Sequence, residues 1–235
     1  GNNAGARRAI EMGAEVLLIL NNDTAVEPEA LPALVAALSR GGHELAAPRI
    51  VFADEPNRLW YGGGRFNPWT GLVAHRAIRR GVDAGADPEG ETDWATGCAL
   101  AITADLWQRL GGLDPGYYIY AEDVDLSLRA RAEGARVAYR PDAVIRHAVS
   151  ASVGGGSSAF KAYHRTRSRR QLLRRHGRGP FWGLGVWVQD AAWALTRLLT
   201  GHAEAARAVF VAIGEAPGAP PKYRVEDLRP GRGDG

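Results

Sequence analysis

The feature that most limits the fold is Glu15-Val16-Leu17-Leu18-Ile19-Leu20, an apolar run that stops abruptly at Asn21-Asn22-Asp23-Thr24. It is too short for a helix of its own, and an unbroken run of this length fits a strand covered on both faces, as in a parallel sheet. Residues 4–12 before it read as a short helix ended by Gly13, a residue favoured just past a helix C-terminus. After the polar turn, Pro28 stands near the start of a second helix, with Leu31, Leu34, Val35 and Leu38 at i, i+3, i+4 and i+7. Helix, buried strand, polar turn and helix make an α/β unit, and open α/β sheets bind ligands beyond the carboxyl ends of their strands. Asn21, Asn22 and Asp23 are therefore expected beside a ligand.

Residues 50–91 are rich in glycine, proline and aromatics, including Trp60-Tyr61-Gly62-Gly63-Gly64 and Phe66-Asn67-Pro68-Trp69. They predict short strands and loops, with 84–91 as an exposed loop. The chain is expected to return to strand from Thr96 to Ile102. A short helix then carries Leu106, Trp107 and Leu110 and ends at Gly111-Gly112. Another helix opens at Tyr120-Ala121-Glu122-Asp123-Val124-Asp125 and is closed by Gly134. Two short strands are expected at 136–139 and 144–147, with Pro141 as a stop between them. Beyond Gly154-Gly155-Gly156 the character changes to a basic helix at 158–176, then one or two amphipathic helices at 181–213 bearing Trp182, Trp187 and Trp193. The expected division is an α/β domain over 1–156, a basic and amphipathic helical extension over 157–216, and a mobile tail over 217–235.

Composition excludes several classes. At 235 residues, 46% hydrophobic and 23% charged, the chain can bury a sizeable core. A net charge of +3 is too small to argue for nucleic acid as a partner. One cysteine, Cys98, excludes an internal disulfide framework and fits a reducing compartment. With no signal peptide and no apolar run of about 18 residues, the expected location is the cytoplasm, with attachment at the inner face of the cytoplasmic membrane as an option. The opening Gly1-Asn2-Asn3-Ala4-Gly5 lacks an initiator methionine and reads as a boundary inside a longer chain.

Several residues are candidates for chemistry, each with a structural alternative. Asp23 in its turn is a helix cap or a ligand. Glu122, Asp123 and Asp125 stabilise a helix start through its dipole, Asp125 pairing with Arg129 at i+4, or they carry catalysis. His147 is structural or a metal ligand. Thr96-Gly97 is a tight turn or a place where backbone approaches a ligand closely. Trp60 and Trp94 stack on sugar rings or fill core, with core slightly favoured.

Taken in order, these strings resemble a known family. Leu18-Ile19-Leu20-Asn21-Asn22-Asp23-Thr24, Ala95-Thr96-Gly97-Cys98-Ala99, Gly111-Gly112-Leu113-Asp114, Tyr120-Ala121-Glu122-Asp123-Val124-Asp125-Leu126-Ser127-Leu128-Arg129, Gly134, Pro141 and His147 are similar to family-2 glycosyltransferases of the rhamnosyltransferase-like and galactofuranosyltransferase-like bacterial subgroup. The match runs from residue 1 to about residue 175, and Glu-Asp-Val-Asp-Leu is its most specific element. The resemblance implies a GT-A fold, α/β with a mostly parallel central sheet, here without its first nucleotide-binding strand, plus C-terminal helices. It implies an inverting transferase that takes a sugar from a dTDP-, UDP- or GDP-linked donor to a glycan or lipid-linked acceptor. It further implies Mg²⁺ or Mn²⁺ held by Asp23 and His147, Asp123 as the base, and Glu122 as its acceptor-orienting partner. Asn21, Asn22, Thr96 and Gly97 fall at the donor and acceptor pocket. Asn21 and Asn22 stand where the family's acidic triplet often has aspartates, leaving fewer anionic ligands.

The basic helix holds Arg165, Arg167, Arg169, Arg170, Arg174 and Arg175. Its arginines make a solvated face, or they join the tryptophan-bearing helices in attaching the chain to an anionic membrane surface. Arg165 and Arg167 are also candidates for holding donor phosphates, which a guanidinium suits. The rival readings are a sugar-1-phosphate nucleotidylyltransferase and a catalytically impaired fragment acting as a membrane-associated binding module.

Overall fold

The computed structural model describes residues 1–39, 42–82, 88–148, 158–179, 182–216 and 218–223. The chain forms two compact units: Gly1–Asn67 with Leu72–Asp114 and Glu122–Val149, and Pro68–Gly71 with Pro115–Ala121 and Ser150–Gly235. The second unit therefore borrows two short stretches from within the first 156 residues. Sequence character gave no sign of them. Gly154–Gly156 and residues 84–87 and 224–235 lie outside the described residues.

The first unit is a mixed α/β sheet. Its elements run α1 (Asn2–Glu11), β1 (Val16–Leu20), β2 (Thr24–Val26), α2 (Ala30–Ser39), β3 (Leu45–Phe52), β4 (Leu59–Tyr61), β5 (Gly64–Asn67), β6 (Leu72–His75), β7 (Gly90–Glu91), β8 (Ala99–Thr103), α3 (Ala104–Leu110), α4 (Glu122–Ala132) and β9 (Val137–His147). The main sheet has the order β1-β8-β3-β9-β2, with β4 paired to β3 and β7 to β9; β5 and β6 form a separate hairpin.

The structure corrects the expected strand direction. Only β3 and β9 run parallel; every other pairing in the described sheet is antiparallel. β1 is an outer strand on β8 rather than a strand buried on both faces: Leu17 and Ile19 are buried while Leu20 is 38% exposed. The centre belongs to β3, whose Leu45, Ala46, Ala47 and Ile50 are fully buried. α2 turns Ala30, Leu34, Ala37 and Leu38 inward, leaving Leu31 and Val35 exposed, so its buried stripe is rotated from the expected one. Small alanines let this helix lie close to the sheet. Gly90–Glu91 is strand where a loop was expected, pairing with Ala138 and Tyr139.

The two short strands around Pro141 are one strand, β9. Its register with β3 passes from Pro48↔Arg140 to Arg49↔Val144, so Pro141 sits in the irregularity. A bulge is where a residue without a backbone N–H is tolerated in a sheet. α4 enters through two consecutive non-glycine residues in the left-handed region, Tyr120 and Ala121, both at φ +68°. Such backbone costs roughly 1–2 kcal/mol per residue and persists only where its surroundings demand it. Asp125 and Arg129 pair at 2.7 Å as expected, with Asp125 fully buried. The same guanidinium donates to the carbonyls of Leu110 and Gly112, closing the end of α3.

The second unit is built on α5 (Ala159–His176), α6 (Trp182–Leu199) and α7 (Ala203–Gly214). Ala162, Tyr163, Ala194, Ala205, Ala208 and Val209 share its core. α5 is not simply a solvated basic stripe. Arg167 reaches Glu215 at 3.5 Å and donates to the Ala219 carbonyl, and both Arg169 and Arg170 pair with Asp190, which is 3% exposed. Lys222 and Tyr223, within the expected tail, are tied to α5: the Lys222 N–H donates to the Tyr163 hydroxyl, and the Tyr223 carbonyl lies 2.7 Å from His164 Nε2. Among the described residues, no helix is long and apolar enough to cross a membrane.

Candidate active site

Strand pairing brings two loops together. β1 ends beside the start of β8, with Leu20 opposite Ala99, and the Asn21 N–H donates to the Cys98 carbonyl at 2.9 Å. Asn21-Asn22-Asp23 thereby adjoins Thr96-Gly97-Cys98. Immediately afterwards the chain becomes β2, which sets Thr24 opposite His147 on β9. Ala148 N–H donates to the Asp23 carbonyl at 2.9 Å. Asp23 Oδ1 and His147 Nε2 then face each other at 3.3 Å. The His147 ring is buried, which pulls its pKa below the ordinary value, and the Asp23 carboxylate partly opposes that shift.

The second pole is the first turn of α4. Asp123 Oδ2 accepts from the Gly97 N–H at 2.7 Å, and Oδ1 accepts from the Val124 N–H at 2.8 Å. Ser127, one turn on, accepts from the Ala95 N–H and donates to the Asp123 carbonyl. The loop 95–97 is thus stitched to the helix start. A β-carbon on Gly97 would lie 3.3 Å from that of Asp123, so glycine is what permits the approach. Burial raises the Asp123 pKa, opposed chiefly by these two N–H donors and more weakly by His75. Glu122 is pushed up to about 7, first by burial and then by the neighbouring Asp123 charge. Its Oε2 is buried with no hydrogen-bond partner. Cys98 stands between the poles: its thiol is pushed up to about 12 by burial, and both Asp23 and Asp123 add to the shift.

Aromatic rings line the same region. Trp60 meets His147 edge-on at 4.6 Å and His75 at 4.7 Å. Trp94, 3% exposed, is core and packs on Tyr61 and His75. His75 is a residue that sequence reasoning missed. No motif marks it; it arrives through the β5–β6 pairing, opposite Gly64, and its Nδ1 lies 3.0 Å from the Trp60 carbonyl. Ser127 was likewise passed over, although its place one turn after Asp123 was a readable signal. Asp23, His147, Thr96, Gly97, Glu122 and Asp123 all belong to the first unit, whereas Arg165 and Arg167 lie on α5 of the second. Arg167 is committed to Glu215 and the Ala219 carbonyl. Asn21 and Asn22 are exposed.

Asp23, Thr96, Gly97, Glu122, Asp123 and His147, dispersed along the sequence, are linked in the first unit through the Asn21–Cys98, Gly97–Asp123 and Asp23–His147 contacts. Residues 2–173 match the family described as glycosyltransferase like family 2. The chain belongs to that family. It is 30% identical over 193 residues to an N-acetylglucosaminyl-diphospho-decaprenol L-rhamnosyltransferase of Mycobacterium tuberculosis, covering 81% of this chain and 52% of the relative. It is 29% identical over 158 residues to the O-antigen biosynthesis protein RfbC of Myxococcus xanthus, covering 64% of this chain and 12% of that protein. The chain therefore spans about half the length of the mycobacterial relative and a small part of the other. A mannosyltransferase from Pyrobaculum calidifontis, solved with GDP-Man and Mn²⁺, aligns at 16% identity and a TM-score of 0.47 over 93% of this chain and 56% of its own.

Proposed function

We propose that this family-2 member transfers a sugar, with inversion, from a dTDP-, UDP- or GDP-linked donor to a hydroxyl of a glycan or lipid-linked glycan in bacterial surface-polysaccharide synthesis. The observation that carries the reading is the Gly97–Asp123–Glu122 turn. It holds one carboxylate on two N–H donors beside a second acid that is mostly neutral below pH 7, with a buried oxygen awaiting a partner. The names of the curated relatives support the sugar-transfer class.

A sugar hydroxyl is a poor nucleophile until its proton is removed. Asp123 takes that proton while the hydroxyl oxygen bonds to the anomeric carbon. The bond from that carbon to the donor phosphate breaks, and its electron pair leaves with the diphosphate. Glu122, about half protonated at pH 7, lowers the negative charge beside Asp123 and offers its carboxyl to a neighbouring acceptor hydroxyl. Asp23 and His147 supply one oxygen and one nitrogen donor already facing each other, a pair that fits Mg²⁺ or Mn²⁺ once phosphate oxygens complete the set. Bound there, the ion would stabilise charge on the departing diphosphate. Asn21 and Asn22 border the donor, and Thr96 and Gly97 border both substrates.

Asp123→Asn tests this, because it removes the base while its amide oxygen can still accept from one of the two N–H donors. Assayed in the whole protein against a panel of nucleotide sugars with Mn²⁺, it should lower turnover by about 10²-fold or more. Near-normal turnover in a folded variant would remove Asp123 from the base role.

A further inference from the structure

None of the candidate site residues lies on α6 (Trp182–Leu199). Leu184, Trp187, Val188, Leu195, Leu198 and Leu199 are between 49% and 79% exposed. Spaced at i, i+3, i+4, i+11, i+14 and i+15, they fall on one side of the helix and make a strip about 22 Å long. The helix's two charged residues lie off that strip: Asp190 is buried against Arg169 and Arg170, and Arg197 lies over the Trp193 ring. A contiguous apolar face of this kind on a charged unit marks an interaction surface.

We propose that this face lies in the head-group boundary of an anionic lipid bilayer, parallel to its plane. Charge complementarity selects the occupant. Among the described residues of the helical unit the acids are Asp190, Glu204 and Glu215, and two of these are buried in ion pairs with α5 arginines. Arg165, Arg174, Arg178 and Arg207 are exposed. Such a surface is repelled by a second copy of itself and attracted to anionic phosphates. On the flank of the strip, a groove of about 430 Å³ between α5 and α6 is lined by Arg165, Thr166, Trp193 and Thr196 together with the Arg169–Asp190 pair, whose charges offset each other and leave Arg165 to meet a lipid phosphate. At 18 residues, α6 is amphipathic and rests on the bilayer rather than crossing it. The inference does not depend on the sugar-transfer reading, since no sugar enters its test.

Flotation with vesicles of phosphatidylcholine alone, and of phosphatidylcholine mixed with phosphatidylglycerol, decides the matter. The whole protein should float with the mixed vesicles and lose binding as salt is raised. Val188→Glu with Leu195→Glu, both at exposed positions, should reduce that binding at least about tenfold with an unchanged circular dichroism spectrum. If the glutamates perturb folding, Val188→Ser with Leu195→Ser serves as the milder pair and should still weaken binding. Absence of flotation with anionic vesicles, equal flotation of a folded variant, or lipid-free self-association abolished by the same substitutions would each overturn the proposal. The last outcome would assign the face to a second copy.

Discussion

Gly97 and Asp123 are 26 residues apart in sequence and joined by a 2.7 Å hydrogen bond. A methyl group on Gly97 would press on Asp123 at 3.3 Å, closer than most contacts of that kind. Gly97→Ala should therefore shift the carboxylate by a few tenths of an ångström. Turnover is expected to fall by roughly tenfold while the melting temperature moves little, because catalysis is more sensitive to such displacement than packing is. Steady-state kinetics beside a thermal melt would separate the two. Glu122 gives a second prediction. Its carboxyl rises from 4.5 to about 7 on folding, so between those values the folded state holds a proton that the unfolded chain has lost. Stability from this group is full below about pH 4.5 and declines as pH rises toward 7. Glu122→Gln should flatten that decline, read from urea midpoints across the interval; an unchanged slope would mean Glu122 is ionised in the fold. At this scale much of the candidate site was legible, since Asp23, Thr96, Gly97, Glu122, Asp123 and His147 each sit in a recognisable string. His75 was not, because what places it is a hairpin pairing rather than a spacing.

At the level of elements, periodicity gave helix positions well and strand directions badly. An apolar run such as Val16–Leu20 is the same string whether its neighbour runs parallel or antiparallel, so direction depends on connections that no local pattern carries. β2 escaped notice because three residues, Thr24–Val26, show no alternation. The arginines of α5 looked like one face because their partners, Asp190 and Glu215, lie 20 to 48 residues further along. By contrast, Asp125 and Arg129 are one helical turn apart, and their pairing could be read directly. That pair does more than stabilise α4: Arg129 also accepts the task of closing α3 by donating to Leu110 and Gly112. Arg129→Leu should thus cost about 3 kcal/mol or more, because fully buried Asp125 loses its guanidinium and two carbonyls lose their donor. Urea denaturation measures it. A loss under about 1 kcal/mol, the range of an exposed pair, would show that solvent reaches this site.

For the whole molecule, the decisive feature is how little the described residues offer a cation. Among the described residues no group of three or more histidine, cysteine or acidic side chains could hold a metal, and Asp23 with His147 makes only two donors. The sequence already pointed this way, with Asn21 and Asn22 in place of acids. A hard divalent ion takes about six oxygen or nitrogen ligands, so on the proposed function an ion bound by Asp23 and His147 would draw further ligands from the donor diphosphate and from solvent. Metal and nucleotide should then stabilise the fold together far more than either does alone. A ligand present at about 100 times its dissociation constant adds about 2.7 kcal/mol, and one far below that constant adds almost nothing. In thermal melts of the whole protein, Mn²⁺ alone and each of UDP, GDP and dTDP alone should give small shifts. One nucleotide with Mn²⁺ should give a shift of several degrees that EDTA reverses, and Asp23→Ala should abolish the synergy. A full shift from Mn²⁺ alone would instead mean that the protein supplies further ligands. Equal shifts from a nucleotide with and without EDTA would mean that the diphosphate is held by protein groups without the ion.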